Sequence, residues 1–238
     1  MHIWAIADLH LSISVPDKNM DIFGPGWSNY MERIKLHWSA SVANDDLVLI
    51  AGDISWAMKL EQAKIDLEWI DQLPGTKLMI RGNHDYWWSS ASKVRALLPP
   101  SIHIIQNDAF VWHDYSIGGA RLWDTSEYNF NAAHSEEFMK EISEEQEKIY
   151  DRELGRLELS LKAMRTNKRL VMTHYPPIST DLKPSRASKL LEKYHVSYCC
   201  FGHLHNIKKD PSLFGEKNGV KYIFTAGDYL EFKPYKIF

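Results

Sequence analysis

The chain has 238 residues, 45% of them hydrophobic and 25% charged, with a formal net charge of -3. This length and balance exclude disordered and fibrous classes and suit a domain with a substantial core. The slightly acidic charge argues against nucleic acid as a partner, because duplex binding draws its affinity largely from Lys and Arg neutralising phosphates.

Ile3 to Ala7 is a short apolar run of the kind buried on both faces of a parallel sheet, with Asp8-Leu9-His10 at its C-terminal end. The run stops at Asp8 and no basic segment precedes it, so no secretory leader is expected. Residues 11 to 27, with Pro16, Gly24, Pro25 and Gly26, read as a loop, and Ser28 is expected to cap a helix reaching about Val42. Leu47 to Ala51 predicts a second buried strand, closed by Gly52-Asp53. Between Lys59 and Leu73, the residues Leu60, Ala63, Leu67 and Ile70 recur at helical spacing until Pro74-Gly75. A third strand, Lys77 to Ile80, leads through Arg81 into Gly82-Asn83-His84-Asp85, where the glycine is expected to turn the chain.

A helix over Ser90 to Leu98 precedes Ile102–Gln106, Phe110–Trp112 and Tyr115–Ile117, whose close spacing predicts a change to antiparallel pairing. Gly118-Gly119 reads as a turn into Arg121-Leu122-Trp123. Ser135 to Arg165 predicts a charged helix with Gly155 as its weak point, a supporting element first and a cap over a site second. Arg169–Thr173 is a strand ending at His174, residues 186 to 194 are helical, and Val196–Phe201 is a strand ending in Gly202-His203-Leu204-His205. The two cysteines, Cys199 and Cys200, are adjacent core residues and exclude a disulfide framework. With no apolar run near the ~20 residues of a membrane span, the expected location is the cytoplasm. Val220–Ala226 is the last strand, Asp228 reads as a turn residue, and the aromatic tail to Phe238 is expected to dock. No repeat or linker interrupts residues 1–238, which are expected to form a single domain.

The residues just past strand ends are Asp8, His10, Asp53, Asn83, His84, Asp85, His174, His203 and His205, all oxygen or nitrogen donors. Strand–helix–strand order with polar motifs at strand C-terminal ends places function on that edge of an α/β sheet. A single histidine there is unremarkable, but five of the eleven fall in these motifs. Asp8/His10 and His203/His205 are i, i+2 pairs, which in extended backbone point to one side and can share a metal.

This ordered set, D-x-H, G-D, G-N-H-D, H and G-H-x-H from Asp8 to His205, resembles the calcineurin-like metallophosphoesterase family. Ile149 to Met164 is similar to a bacterial phosphohydrolase branch of it. The resemblance implies an α/β fold, a four-layer α/β/β/α sandwich of mixed sheets with the active site at strand C-terminal ends. It also implies two metal ions, with Asp8, His10 and His205 holding the first, Asn83, His174 and His203 the second, and Asp53 bridging them. The mixture of imidazole, carboxylate and amide suits divalent or mixed-valence manganese, iron, zinc or cobalt better than calcium. His84 matches no ligand position and is left as the general acid, with Asp85 as the group that orients it.

The function so implied is hydrolysis of a small phosphodiester or phosphomonoester by a hydroxide bound to the two metals, diesters being slightly preferred. The partner is then the small substrate, with no membrane span. A nearer alternative is a UDP-diacylglucosamine-type pyrophosphatase, similar at Asp8-Leu9-His10-Leu11, although such relatives typically carry arginine at the position of His84. The alternative of another class is a non-catalytic scaffold binding a protein partner, in which eroded ligands are usual and none is missing here. Trp27, Trp56, Tyr86, Trp87, Trp88, Trp123 and Tyr175 crowd the same edge, as packing residues first and as a stacking wall second. Arg81 and Arg121 are open between holding phosphate and forming ion pairs.

Overall fold

A computed structural model describes residues 1–128, 130, 142–210 and 213–238. By its internal contacts the chain divides into one unit of Met1–Ile104 with Thr225–Phe238 and another of Ile105–Phe224.

In the first unit, β1 (Ile3–Ile6) and β2 (Leu47–Ile50) are fully buried apolar tetrads, as strands covered on both faces must be. They run parallel to each other, with β3 (Thr76–Met79) and β4 (Ile102–Ile104) extending the sheet in parallel. The predicted change to antiparallel pairing therefore comes after β4, not at it. β11 (Tyr235–Lys236) pairs antiparallel with β1, so the tail docks as expected, and Phe232 packs its ring 5.2 Å from that of Trp27. Helix α1 (Tyr30–Ser41) begins one turn position later than Ser28 suggests: Asn29 precedes it in left-handed backbone, a conformation asparagine tolerates. Residues 11 to 27 are not plain loop, since short 3-10 turns form at Pro16–Lys18, Met20–Phe23 and Pro25–Trp27. Helix α2 (Leu60–Asp71) buries Ala63, Asp66, Leu67 and Ile70, and α3 (Ala91–Leu97) is capped by the Ser90 hydroxyl.

The second unit holds a mixed sheet in the order β5-β6-β7-β8-β10-β9. Its strands are β5 (Phe110–Trp112), β6 (Tyr115–Ala120), β7 (Lys168–Thr173), β8 (Tyr198–Phe201), β9 (Gly215–Lys217) and β10 (Val220–Phe224). β5 and β6 form the expected antiparallel hairpin, whereas β6, β7, β8 and β10 pair in parallel. Gly118 and Gly119 lie inside β6 instead of forming a turn. A Cβ on Gly118 would meet Met164 Cε at 2.6 Å and Ser160 Oγ at 2.8 Å, so glycine is what lets α4 (Glu144–Lys162) press against the strand. Ser160 completes the junction by accepting from Gly119 N and donating to Asp108 O. Helix α4 starts at a Ser143/Gln146 capping box and runs through Gly155 without a break; residues 135–141 of the expected helix lie outside the described residues. Helix α5 (Arg186–Lys193) follows β7. Cys199 and Cys200 are buried on β8, and burial pushes both thiols up. Two mixed sheets with helices make this a mixed α/β fold. Among the described residues no helix is long and apolar enough to cross a membrane.

Candidate metal centre

Beyond the ends of β1 and β2 the two segments stay laced together. Asp8 N donates to Gly52 O, His10 N to Asp53 O, Leu11 N to Ile54 O and Trp56 N to Leu11 O, at 2.9–3.0 Å. Along this ladder Asp8 (φ 56), His10 (φ 45) and Asp53 (φ 50) all adopt left-handed backbone. The same-side placement of Asp8 and His10 is thus not the product of extended chain, which corrects the i, i+2 reasoning. Non-glycine residues hold such angles only where their surroundings over-determine them, a feature that clusters at functional sites. An oxygen of Asp8 lies within 4.8 Å of a His10 ring nitrogen, and likewise of an Asp53 oxygen. His10 Nε2 stands 3.7 Å from Asp53 Oδ2, and all three side chains are buried.

The third arm is residues 82–85. A Cβ on Gly82 would fall 2.1 Å from Asp53 Oδ1 and 2.2 Å from Asp53 N, so this glycine is required by the close approach of Asp53. Its φ is not positive, so it does not act as a left-handed turn residue. Asn83 follows it, half-buried, and His84 N donates to Asp53 Oδ1 at 2.8 Å. The His84 ring leans on Trp56 at 4.6 Å between centroids, and Trp56 stacks on His10 at 5.0 Å. Trp56 is therefore the one tryptophan of this edge placed against candidate site rings on both sides, while Trp27, Trp87 and Trp88 are buried as packing residues.

Asp85 was expected to orient His84, and its partners are different. Its Oδ1 accepts from Ile54 N, Ser55 N and Trp87 Nε1, and its Oδ2 from Gly82 N. Burial and then the Asp53 carboxylate push the Asp85 carboxyl up, against the N–H donors that favour its charged form. His84 Nδ1 instead has the hydroxyl of half-exposed Tyr86 at 3.4 Å. Asp66, which sequence reasoning missed, is wholly buried on α2 and bonds to Ser14 and Ser55. The signal was present: Ala63, Asp66, Leu67 and Ile70 stand at i, i+3, i+4 and i+7, so a carboxylate occupies a core position.

The second unit carries His174, His203 and His205. His174 is fully buried past β7, its N–H and that of Tyr175 both donating to Arg121 O, while Gly202 N donates to His174 O. These bonds bring His203, itself left-handed at φ 74, to 5.1 Å between ring centroids from His174. Tyr175 lies against His203 at 3.8 Å. His205 follows buried Leu204 and is half-buried. Arg121 pairs with buried Glu153 at 3.0 Å and covers Trp123, so ion pairing accounts for it. Asp228 sits in a turn, accepting from Glu231 N through its carbonyl.

A family model described as calcineurin-like phosphoesterase matches residues 1–206. The Gene 66 protein of Mycobacterium phage D29 is 33% identical over 85 residues, 35% of this chain and 40% of that protein, so the match spans under half of the relative. Among solved structures, a phosphopantetheinyl hydrolase from Mycobacterium tuberculosis superposes with a TM-score of 0.59 at 13% identity, covering 99% of this chain and 95% of the other. A protein of unknown function from Aquifex aeolicus covers the same shares at 14% identity with a TM-score of 0.49. The mycobacterial likeness shows the fold.

Proposed function

The chain belongs to the calcineurin-like phosphoesterase family of phosphoester hydrolases, and on that premise we propose that it hydrolyses a small phosphodiester or phosphomonoester at a two-metal centre. The observation that carries this reading is the convergence of Asp8, His10 and Asp53 at the ends of β1 and β2, three buried donors held within metal-ligand reach by left-handed backbone. Their carboxylate and imidazole donors fit a transition-metal ion of borderline softness, such as manganese, iron, zinc or cobalt.

In this reading residues 1–238 work as one catalytic domain. Asp8, His10 and His205 would hold one ion, Asn83, His174 and His203 the other, and Asp53 would supply its carboxylate to both. When bound, such ions draw charge from the phosphoryl oxygens and lower the pKa of a water towards ~7. His84, with its ring supported by Trp56, gives a proton to the departing oxygen, which matters most for a poor alkoxide leaving group and favours diesters. Asp85 serves by fixing the backbone at Gly82 and Ile54. The net charge of -3 favours a small substrate over a nucleic acid, and the two free, buried cysteines suit the cytoplasm.

His84→Ala tests the acid directly. A diester with a poor leaving group is expected to lose about 10²–10⁴-fold in kcat, and an activated aryl ester far less. Equal losses on both would remove His84 from the proton transfer.

A further inference from the structure

We infer that Asp66 is a positioning residue that locks the two arms carrying His10 and Asp53, an assignment that rests on the metal-ligand roles proposed above. Asp66 lies wholly buried on α2, and every one of its partners is a neutral N–H or O–H group. Its Oδ1 accepts from Ile13 N at 3.0 Å and Ser14 N at 3.4 Å, both on the arm beyond β1. Its Oδ2 accepts from Ser14 Oγ at 2.8 Å and from Ser55 Oγ at 2.5 Å, the latter on the arm beyond β2. Ser55 Oγ also accepts from Ala57 N at 3.0 Å, which fixes the hydroxyl to donate to Asp66.

A carboxylate in a helix core position, with no Lys or Arg paired to it among the described residues, is costly where a leucine would serve for stability alone. What it achieves is a tie at the far end of the β1–β2 ladder, three and four residues past His10 and two past Asp53. Those residues are the ones in left-handed backbone, and a tie at each arm's end is what stops the angles relaxing. Groups outside the ligand shell commonly govern affinity and activity in this way.

Asp71 supplies the control. It lies on the same helix and its carboxylate accepts from Ser101 N at 3.2 Å and Ser101 Oγ at 2.5 Å, with the Lys77 ammonium donating to Ser101 Oγ and to Asp71 O beside it, so it ties down a loop with no candidate ligand. Asp66→Asn, Ser55→Ala and Asp71→Asn are compared for urea stability, manganese affinity by calorimetry, and KM and kcat on an aryl phosphodiester. Asp66→Asn is expected to weaken manganese binding and lower kcat by about tenfold with KM little changed, Ser55→Ala to do so to a smaller extent, and Asp71→Asn to lose stability only. If Asp66→Asn does not fold, Ser55→Ala decides alone. Manganese affinity and kcat at the wild-type level in the folded variants would overturn the assignment. A wild-type protein that binds no manganese and hydrolyses nothing would instead overturn the function on which it rests.

Discussion

At the scale of residues, Gly82 and Gly155 show how little a residue type says without its surroundings. A methyl on Gly82 would overlap Asp53 Oδ1 and N, whereas one on exposed Gly155 meets nothing within 4 Å. Gly82→Ala is therefore expected to displace Asp53, costing about 1–3 kcal/mol in urea denaturation and about 10²-fold in kcat. Gly155→Ala removes a flexible residue from a helix interior and is expected to add about 0.5–1 kcal/mol with activity unchanged. The candidate ligands could be picked from the sequence because donors of the right type fall at strand ends in a family order. Their backbone could not: Asp8, His10, Asp53 and His203 are left-handed, and only pairing of distant segments imposes that. Asp85 illustrates the same limit, since adjacency to His84 suggested a contact that its bonds to Ile54, Ser55 and Gly82 preclude.

At the scale of elements, buried apolar tetrads and helical spacing made β1, β2, β3, α2 and α5 legible. β9 and β11 were not, being two or three residues long and fixed by their partner strands. Gly118 and Gly119 misled because a glycine pair reads as a turn, while here it admits α4 against β6. The start of β2 is secured by Asp46, which is buried and accepts from His2 N at 2.5 Å, Trp4 Nε1 at 2.9 Å and Ala43 N at 3.0 Å. Burial raises the Asp46 carboxyl, but these donors outweigh it and hold the group below its ordinary value of 3.8. A carboxyl depressed in the folded state stabilises fully above its unfolded pKa, and that contribution is lost as pH falls through the folded pKa. Urea titrations of the wild type are thus expected to weaken below pH ~4, with Asp46→Asn less stable at pH 7 by about 1–3 kcal/mol and flatter in that acid range. An Asp46→Asn protein with the wild-type acid slope would remove Asp46 as a source of it.

At the scale of the whole molecule, the motifs are shared between two units. Asp8, His10, Asp53, Asn83, His84 and Asp85 belong to the first, and His174, His203 and His205 to the second. The sequence showed no linker because the boundary near Ile104 runs between two strands. The return near Thr225 was hidden inside an apolar run that reads as one strand, yet β10 ends at Phe224 and Thr225 O accepts from Ala7 N at 2.8 Å in the first unit. The direct test is metal content of manganese-reconstituted protein, measured with aryl phosphodiester hydrolysis for the wild type, Asp53→Asn and His174→Ala. Two ions per wild-type chain are expected, with ions and hydrolysis lost together in Asp53→Asn and one ion lost in His174→Ala. Full hydrolysis by Asp53→Asn, or hydrolysis by a wild-type chain without bound metal, would contradict the two-metal centre.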